Sequence, residues 1–312
     1  MRILKQRTNI RFMAHRRLAL IFSGALLLLS LGSLGFRGLE FGIDFTGGTL
    51  VEVGYPEAVD LGRVRAALEE DGFHGALVQN FGTSRDVLVR LAPREDIEKA
   101  ELSTKLLKTL NRASNTQLEL RRVEFVGPQI GEELTEQGGL AMIIALGAIL
   151  VYVSLRFQWK YALGSVGALF HDVIITISFF SVLGLEFDLT VLAAALAVIG
   201  YSLNDTIVVF DRIRENFRKM RKGSSVEIVD ASLNETLART LMTSFTTLLV
   251  LAALFVFGGE LIHGFATALI FGVFVGTYSS IYVASSTALS LGVSKADFLT
   301  VPKEGAEGDV PP

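Results

Sequence analysis

The chain has 312 residues, of which 50% are hydrophobic and 20% are charged, and its mean hydropathy is +0.48. This composition excludes an ordinary soluble domain and is typical of a protein with several membrane-spanning helices. The net charge of −3 gives no indication of nucleic-acid binding, and the absence of cysteine excludes disulfides and thiolate metal sites.

Six apolar segments are long enough to cross a bilayer, which predicts a polytopic α-helical membrane protein with six transmembrane helices. The basic residues 1–16 resemble the start of a signal peptide, but no clean cleavage site follows, so we expect the first helix to be retained. The last segment exceeds the length that a bilayer requires, which predicts tilt or overhang, and residues 293–312 are predicted to be a disordered tail. The predicted helices are residues 17–36, 139–155, 161–184, 189–210, 240–258 and 263–292.

The basic residues predict the orientation of these helices. Lys and Arg are concentrated in residues 1–16, in the loop 156–160 and in residues 212–222. The loops after the third and fifth predicted helices carry acidic residues and neither Lys nor Arg. Because cytoplasmic loops are enriched in Lys and Arg, we expect both termini to be cytoplasmic and residues 37–136 to lie outside.

Residues 37–136 have the pattern of a small folded domain. Two helices, one after Asp60 and one over 94–111, alternate with short strands. The order β-α-β-β-α-β predicts a ferredoxin-like α+β domain between the first and second transmembrane helices, a scaffold that does not by itself define a function. The predicted strands are Thr49–Tyr55, Ala76–Asn80, Val87–Leu91 and Gln117–Val126.

Residues 211–238 form the longest predicted cytoplasmic loop. Ser224 and Glu227 have the spacing of a capping box, which marks the start of a helix. We predict an amphipathic helix from there to about Ala238, lying at the inner membrane surface before the fifth span.

Asp205 interrupts the fourth predicted transmembrane helix. A carboxylate at membrane depth costs a few kcal/mol and is usually kept for a function. Tyr201 and Ser202 lie on the same helix face, and Asn204 borders it. One interpretation is a carboxylate that takes up and releases protons, and the other is a helix-end carboxylate that reaches the headgroups or pairs structurally. The polar stripe favours the first interpretation.

Further polar residues lie in the neighbouring spans. Arg239 opens the fifth span and would approach Asp205 if spans four and five are neighbours, with Thr243 one turn further on. The alternative is that Arg239 is a positive-inside anchor. His171 and Asp172 lie in the third span, where they would form either a second proton-relay element or a structural pair.

Residues 41–48 read FGIDFTGG and follow the first span. Their glycines are wrongly placed for a phosphate loop, so we interpret the run as a turn that leads from the membrane into the first strand. The chain also has no zinc-ligand spacing and no nucleophile elbow. We therefore expect no enzymatic activity, no metal and no bound cofactor, and any work would draw on an ion gradient or a partner.

Residues 41–48 and 198–216 (VIGYSLNDTIVVFDRIREN) closely resemble signature segments of the SecD/SecF family of bacterial protein-export membrane proteins, which belongs to the resistance-nodulation-division superfamily. His171-Asp172 and residues 236–240 also fit. The resemblance covers essentially the whole chain. It implies a multi-pass protein of the bacterial inner membrane whose α+β domain is periplasmic.

The resemblance also implies a function. The chain would be an accessory subunit of the Sec translocase that uses the proton-motive force, together with SecD, to promote translocation of unfolded preproteins. SecYEG, YajC and YidC are further expected partners, with protons as the coupling ion. Asp205 matches the essential transmembrane carboxylate of the family, and Arg239 and Thr243 match polar partners of that carboxylate.

Our hypothesis for the mechanism is that protonation of Asp205 shifts the helix packing, and that a coupling turn transmits the shift to the outer domain. The turn residues are Phe41, Gly42, Asp44, Gly47 and Gly48. One alternative is a proton-coupled small-molecule exporter of the same superfamily, but such exporters typically have two large outer domains. The other is a membrane scaffold that moves no ions.

Overall fold

The computed structural model describes residues 8–93, 99–220, 222–294 and 297, and in that part of the chain six helices are long and apolar enough to cross a membrane. In chain order the elements are α1 (Arg16–Phe36), β1 (Glu40–Phe41), α2 (Ile43–Thr46), β2 (Gly48–Gly54), α3 (Leu61–Glu70), β3 (Leu77–Phe81), β4 (Thr83–Leu91), α4 (Lys99–Ser114), β5 (Glu119–Val126), α5 (Pro128–Arg156), α6 (Trp159–Leu183), β6 (Glu186–Phe187), α7 (Leu189–Lys219), α8 (Ser225–Phe257), α9 (His263–Ser279), a π-helical segment (Ser280–Ala284) and α10 (Ser285–Ser290). The chain is therefore a polytopic helical membrane protein, as its composition predicts.

Three of the helices extend well beyond their predicted ends, and the first of these, α5, begins at Pro128 and not at residue 139. α7 continues from the predicted fourth span to Lys219, and α8 runs without a break from Ser225 to Phe257. The prediction of a separate amphipathic helix before the fifth span is therefore wrong. The reason is that residues 225–257 contain neither glycine nor proline, so the helix that the capping box of Ser224 and Glu227 begins has nothing to end it.

Helices α6, α7 and α9 form the centre of the membrane domain, and α8 packs on α7 and α9. Glycines allow the close approach of α9 to α7. A Cβ on Gly272 would lie 2.2 Å from Val198 Cγ2, and a Cβ on Gly276 would lie 3.1 Å from Ser202 Cβ. Small residues at a helix interface permit such packing, which brings the polar face of α7 against α9.

The α+β domain, residues 48–126, contains an antiparallel sheet with the strand order β3-β4-β2-β5. Val51 lies opposite Val89 on one side and Val123 on the other, and its side chain faces α3 and α4. Leu68 and Leu106 of these two helices are completely buried against the sheet. The element order β-α-β-β-α-β is the predicted one. Residues 94–98, where the second helix was predicted to start, lie outside the described residues, as do 295, 296 and 298–312 of the predicted tail.

Candidate functional site

The carboxylate of Asp205 lies where three helical segments meet. Its Oδ1 accepts a hydrogen bond from Thr240 Oγ1 of α8 at 2.7 Å, and its Oδ2 accepts one from Ser280 Oγ of the π-helical segment at 2.5 Å. The residue is only 6% exposed. Buried charged or polar groups are stable only when hydrogen-bonded, so one side chain of α7 holds both neighbouring helices through these hydroxyls.

Asp172 of α6 forms a second buried carboxylate centre. Its Oδ1 lies 2.9 Å from His171 Nδ1, and its Oδ2 accepts from Ser202 Oγ of α7 at 2.5 Å and from Ser279 Oγ of α9 at 2.6 Å. Asp172 is completely buried. The two carboxylates are therefore bound by consecutive residues, Ser279 at the end of α9 and Ser280 at the start of the π-helical segment.

The predicted polar stripe of α7 is divided among different surroundings. Ser202 bonds to Asp172, whereas Tyr201 OH donates to Ser244 Oγ of α8 at 2.8 Å. Asn204 lies on the exposed side of the helix. The stripe thus connects α7 to α6 and to α8, and one of its members faces away from the membrane domain.

The two residues expected to accompany Asp205 lie on α8 within three positions of Thr240 but do not bind the carboxylate. Arg239 is exposed and, among the described residues, forms no ion pair with Asp205 within 4.0 Å. Thr243 Oγ1 donates to the backbone carbonyls of Arg239 and Thr240. The partner on α8 is Thr240, which sequence reasoning missed together with Ser279 and Ser280.

The turn of residues 41–48 is attached to the start of α7. The Leu189 amide donates to Asp44 Oδ2 at 3.0 Å, and the Gly42 amide donates to the Phe187 carbonyl at 2.9 Å. β1 pairs in parallel with β6, the short strand that precedes α7. Phe45 stacks on Phe187 with a centroid distance of 5.9 Å. The turn therefore contacts the helix that carries Asp205 through both backbone and side chains.

Two glycines let this turn enter the sheet. Gly47 has φ +67, and a Cβ there would lie 3.0 Å from Pro128 Cα at the start of α5. Gly48 has φ +132, and a Cβ there would lie 2.5 Å from the Leu91 carbonyl oxygen. Side chains are disfavoured at positive φ, and these contacts are with backbone atoms. Both positions therefore require glycine.

Arg90 of β4, which sequence reasoning missed, joins the sheet to this turn. Its Nη2 donates to the Phe41 carbonyl at 2.6 Å and to Thr46 Oγ1 at 2.7 Å. Its Nη1 lies 3.7 Å from Glu186 Oε1. One guanidinium thus contacts the turn and the loop between α6 and α7. A lone arginine in a predicted strand gives no sequence signal for this role.

Glu186 makes this junction sensitive to pH. Burial raises the pKa of its carboxyl above the ordinary value of 4.5; Arg90 opposes that shift, and Asp188, Asp44 and Glu40 add to it. A carboxyl with a raised pKa binds its proton more tightly in the folded protein than in the unfolded chain. Its contribution to stability is therefore present below 4.5 and is lost as the pH rises through the folded-state pKa.

We therefore expect Glu186→Gln, which mimics the protonated form, to be more stable than the parent protein at neutral pH. The difference in Tm should shrink as the pH falls toward 4.5, because the parent carboxyl then takes up its proton. Thermal unfolding of both detergent-solubilised proteins across this pH range measures the difference in Tm. Glu124→Gln, at a more exposed carboxylate of β5, is the control. A parent protein more stable than Glu186→Gln at neutral pH would show that the Arg90 ion pair dominates.

Residues 106–294 match the family model "Protein export membrane protein SecD/SecF, C-terminal", and residues 32–55 match the SecD/SecF GG motif. The chain is 54% identical to protein translocase subunit SecF of Vibrio alginolyticus over 99% of both chains. It is 51% identical to the subunit of that name from Pseudomonas aeruginosa, over 93% of this chain and 94% of the relative.

A solved structure has the same architecture. The crystal structure of SecDF, a translocon-associated membrane protein from Thermus thermophilus, superposes with a TM-score of 0.83 at 40% identity. The match covers 93% of this chain and 39% of the SecDF chain. This chain therefore spans about two fifths of the SecDF chain, whereas it matches its Vibrio relative over nearly the full length.

Proposed function

The chain belongs to the SecD/SecF family of protein-export membrane proteins, and we propose that it acts as an accessory subunit of the Sec protein translocase. In this proposal it lies in the bacterial inner membrane with both termini in the cytoplasm. Its α+β domain is periplasmic and has a ferredoxin-like fold, and the strand order β3-β4-β2-β5 supports that fold. It works with SecD, and SecYEG, YajC and YidC are further candidate partners. It has no enzymatic activity of its own.

The observation that carries the coupling part of this proposal is the hydrogen bond from the Leu189 amide to Asp44. α7 carries Asp205 sixteen residues further on, about 24 Å along the helix axis. When Asp205 takes up a proton, the hydrogen bonds that it accepts from Thr240 and Ser280 weaken or reverse direction. The packing of α7 against the neighbouring helices then changes. A shift of α7 reaches Asp44 directly, and the turn passes it to the α+β domain.

The exposed face of α7 supports the need for a partner. Four exposed residues, spaced by four, three and four positions, form one stripe of this helix: Ala193, Ala197, Gly200 and Asn204. By contrast, α5 exposes large apolar side chains such as Ile143, Ile144 and Val151. Small and polar residues are typical of helix–helix contacts in membranes, whereas lipid-facing surfaces carry large apolar residues. We propose that SecD covers the stripe.

Gly200→Leu is expected to reduce co-purification of this chain with SecD, because the added side chain prevents a close approach to the stripe. The matched control is Gly147→Leu on α5. Gly147 also lies mid-helix and exposed, and at both glycines a Cβ would have no neighbour within 4 Å. The two changes therefore affect the isolated chain equally. Equal recovery of SecD with both variants would exclude this face as the interface.

Export in membrane vesicles tests the function as a whole. Vesicles from cells without their own SecD and SecF would receive this chain together with SecD. We expect the complex to restore the part of preprotein translocation that depends on the proton gradient. If the complex forms but translocation is the same with and without it, the chain is not a translocase subunit of this kind.

A further inference from the structure

Two consecutive serines connect the two buried carboxylates. Ser279, the last residue of α9, donates to Asp172 Oδ2 at 2.6 Å, and Ser280, the first residue of the π-helical segment, donates to Asp205 Oδ2 at 2.5 Å. Both serines are completely buried. Neighbouring residues of a helix point in different directions, so the Ser279 hydroxyl reaches α6 and the Ser280 hydroxyl reaches α7. We call the backbone of these two residues the serine step.

Each serine has a second acceptor within its own helix. Ser279 Oγ lies 3.1 Å from the Gly276 carbonyl oxygen, and Ser280 Oγ lies 3.1 Å from the Thr277 carbonyl oxygen. A hydroxyl has one proton to donate, and an ionised carboxylate is the stronger acceptor. When the carboxyl is protonated, its own O–H donates to the serine oxygen, and the serine proton turns to the carbonyl. The serines can therefore change partners without moving far.

The backbone at this step is not a regular α-helix. Residues 280–284 form a π-helical segment, and Ser285 Oγ donates to the Ser280 carbonyl at 3.2 Å. π-helical turns are rare and occur frequently at functional sites. A change in the hydrogen bonds of Ser280 acts on the first residue of this segment, and Ser279 precedes it directly.

We propose that Ser279 and Ser280 are positioning residues that couple the protonation of Asp172 to that of Asp205. In the ionised state both carboxylates hold this backbone step, one from α6 and one from α7. Protonation of one carboxyl reverses the direction of its hydrogen bond with its serine and shifts the backbone of Ser279 and Ser280. That shift changes the hydrogen bond that the other serine donates to the other carboxylate. The inference deepens the proposed function and rests on its proton-coupling part.

Other titratable or charged groups surround this pair. His171 of α6 bonds to Asp172, Tyr201 of α7 bonds to Ser244, and Tyr278 of α9 lies with its ring centroid 6.3 Å from that of His171. On α8, Arg239 directly precedes Thr240 and, in the part of the chain that the structure describes, forms no ion pair with Asp205 within 4.0 Å. Among the described residues none of these four groups contacts both carboxylates, whereas Ser279 and Ser280 supply a donor to each of them.

Infrared titration of the carboxyl bands in the purified complex with SecD tests this coupling. Asp172→Asn and Asp205→Asn assign the two bands. We expect Ser280→Ala to move the titration of the Asp205 band by about one pH unit, toward higher pH, because the ionised form loses a donor. Ser279→Ala should move the Asp172 band similarly and also displace the Asp205 band. Ser286→Ala removes a buried hydroxyl of α10 that lies 3.8 Å from Met13 Sδ and binds neither carboxylate, and it should move neither band.

The conservative variants Ser279→Thr and Ser280→Thr keep the hydroxyl and should titrate like the parent protein. If an alanine variant does not fold, cysteine at the same position supplies a weaker donor, and a smaller displacement is expected. An Asp205 band that is unaffected by Ser279→Ala or Ser279→Cys would overturn the coupling. The titration does not require export, so a chain whose export ignores Asp205 would contradict the proposed function and not this inference.

Discussion

Asp205→Asn is expected to abolish the part of preprotein export that depends on the proton gradient and to leave the gradient-independent part unchanged. Asparagine has nearly the same shape and keeps an oxygen that can accept from Thr240, so the helices still pack. It has no proton to exchange, however, so the hydrogen bonds to Thr240 and Ser280 no longer respond to pH or to the gradient. Translocation in vesicles with and without an uncoupler measures the two parts separately.

Asp211→Asn is the matched control for this change. Asp211 lies six residues further along α7 and also loses a negative charge, but its carboxylate is partly exposed and pairs with Arg156. The Asp211→Asn variant should support preprotein export at the parent rate. Full gradient-dependent export by Asp205→Asn would indicate a scaffold that moves no ions, and the proton-coupling proposal would then have to be abandoned.

The membrane architecture could be predicted because it depends on local properties of the chain. Six apolar runs define six spans, and a bilayer leaves them no alternative to the helix. The ends of these helices were predicted less well. Hydropathy locates a bilayer boundary, whereas α7 and α8 continue until a residue breaks them, which happens only after Lys219 and Phe257.

The candidate site could be predicted only in part, because its partners depend on packing. An aspartate in an apolar run stands out, and so does a histidine–aspartate pair. Threonine and serine are common in transmembrane helices, so Thr240, Ser279 and Ser280 carry no such signal. Which of two neighbours on α8, Arg239 or Thr240, faces Asp205 depends on the rotation of that helix, which hydropathy does not determine.

The contacts of the turn of residues 41–48 could not be predicted from the sequence either. The glycines of residues 41–48 indicate a turn, but they do not reveal what the turn contacts. Arg90 is 42 positions after Gly48 in the chain, and Leu189 follows 99 positions after Arg90, yet both reach this turn. Contacts between such distant residues arise from the sheet register and from helix packing.

Gly48→Ala is expected to give the largest loss of stability of any single-methyl change in this turn. Gly48 has φ +132, and a backbone conformation of this kind costs residues other than glycine roughly 1–3 kcal/mol. The added Cβ would also lie 2.5 Å from the Leu91 carbonyl oxygen, so β2 and β4 must move apart where they meet the turn. We expect a total cost of roughly 3 kcal/mol or more, measured as a lower Tm of the solubilised protein.

Gly72→Ala separates the two causes. Gly72 follows α3 in the same domain and has φ +85, but a Cβ there would have no neighbour within 4 Å. It should therefore show only the backbone cost, about 1–2 kcal/mol. Since Gly48 also begins the path from Asp44 into the sheet, Gly48→Ala should reduce gradient-dependent export while Gly72→Ala does not. Equal losses of stability would mean that the contact with Leu91 relaxes freely, and the turn would then be too compliant to transmit a shift of α7.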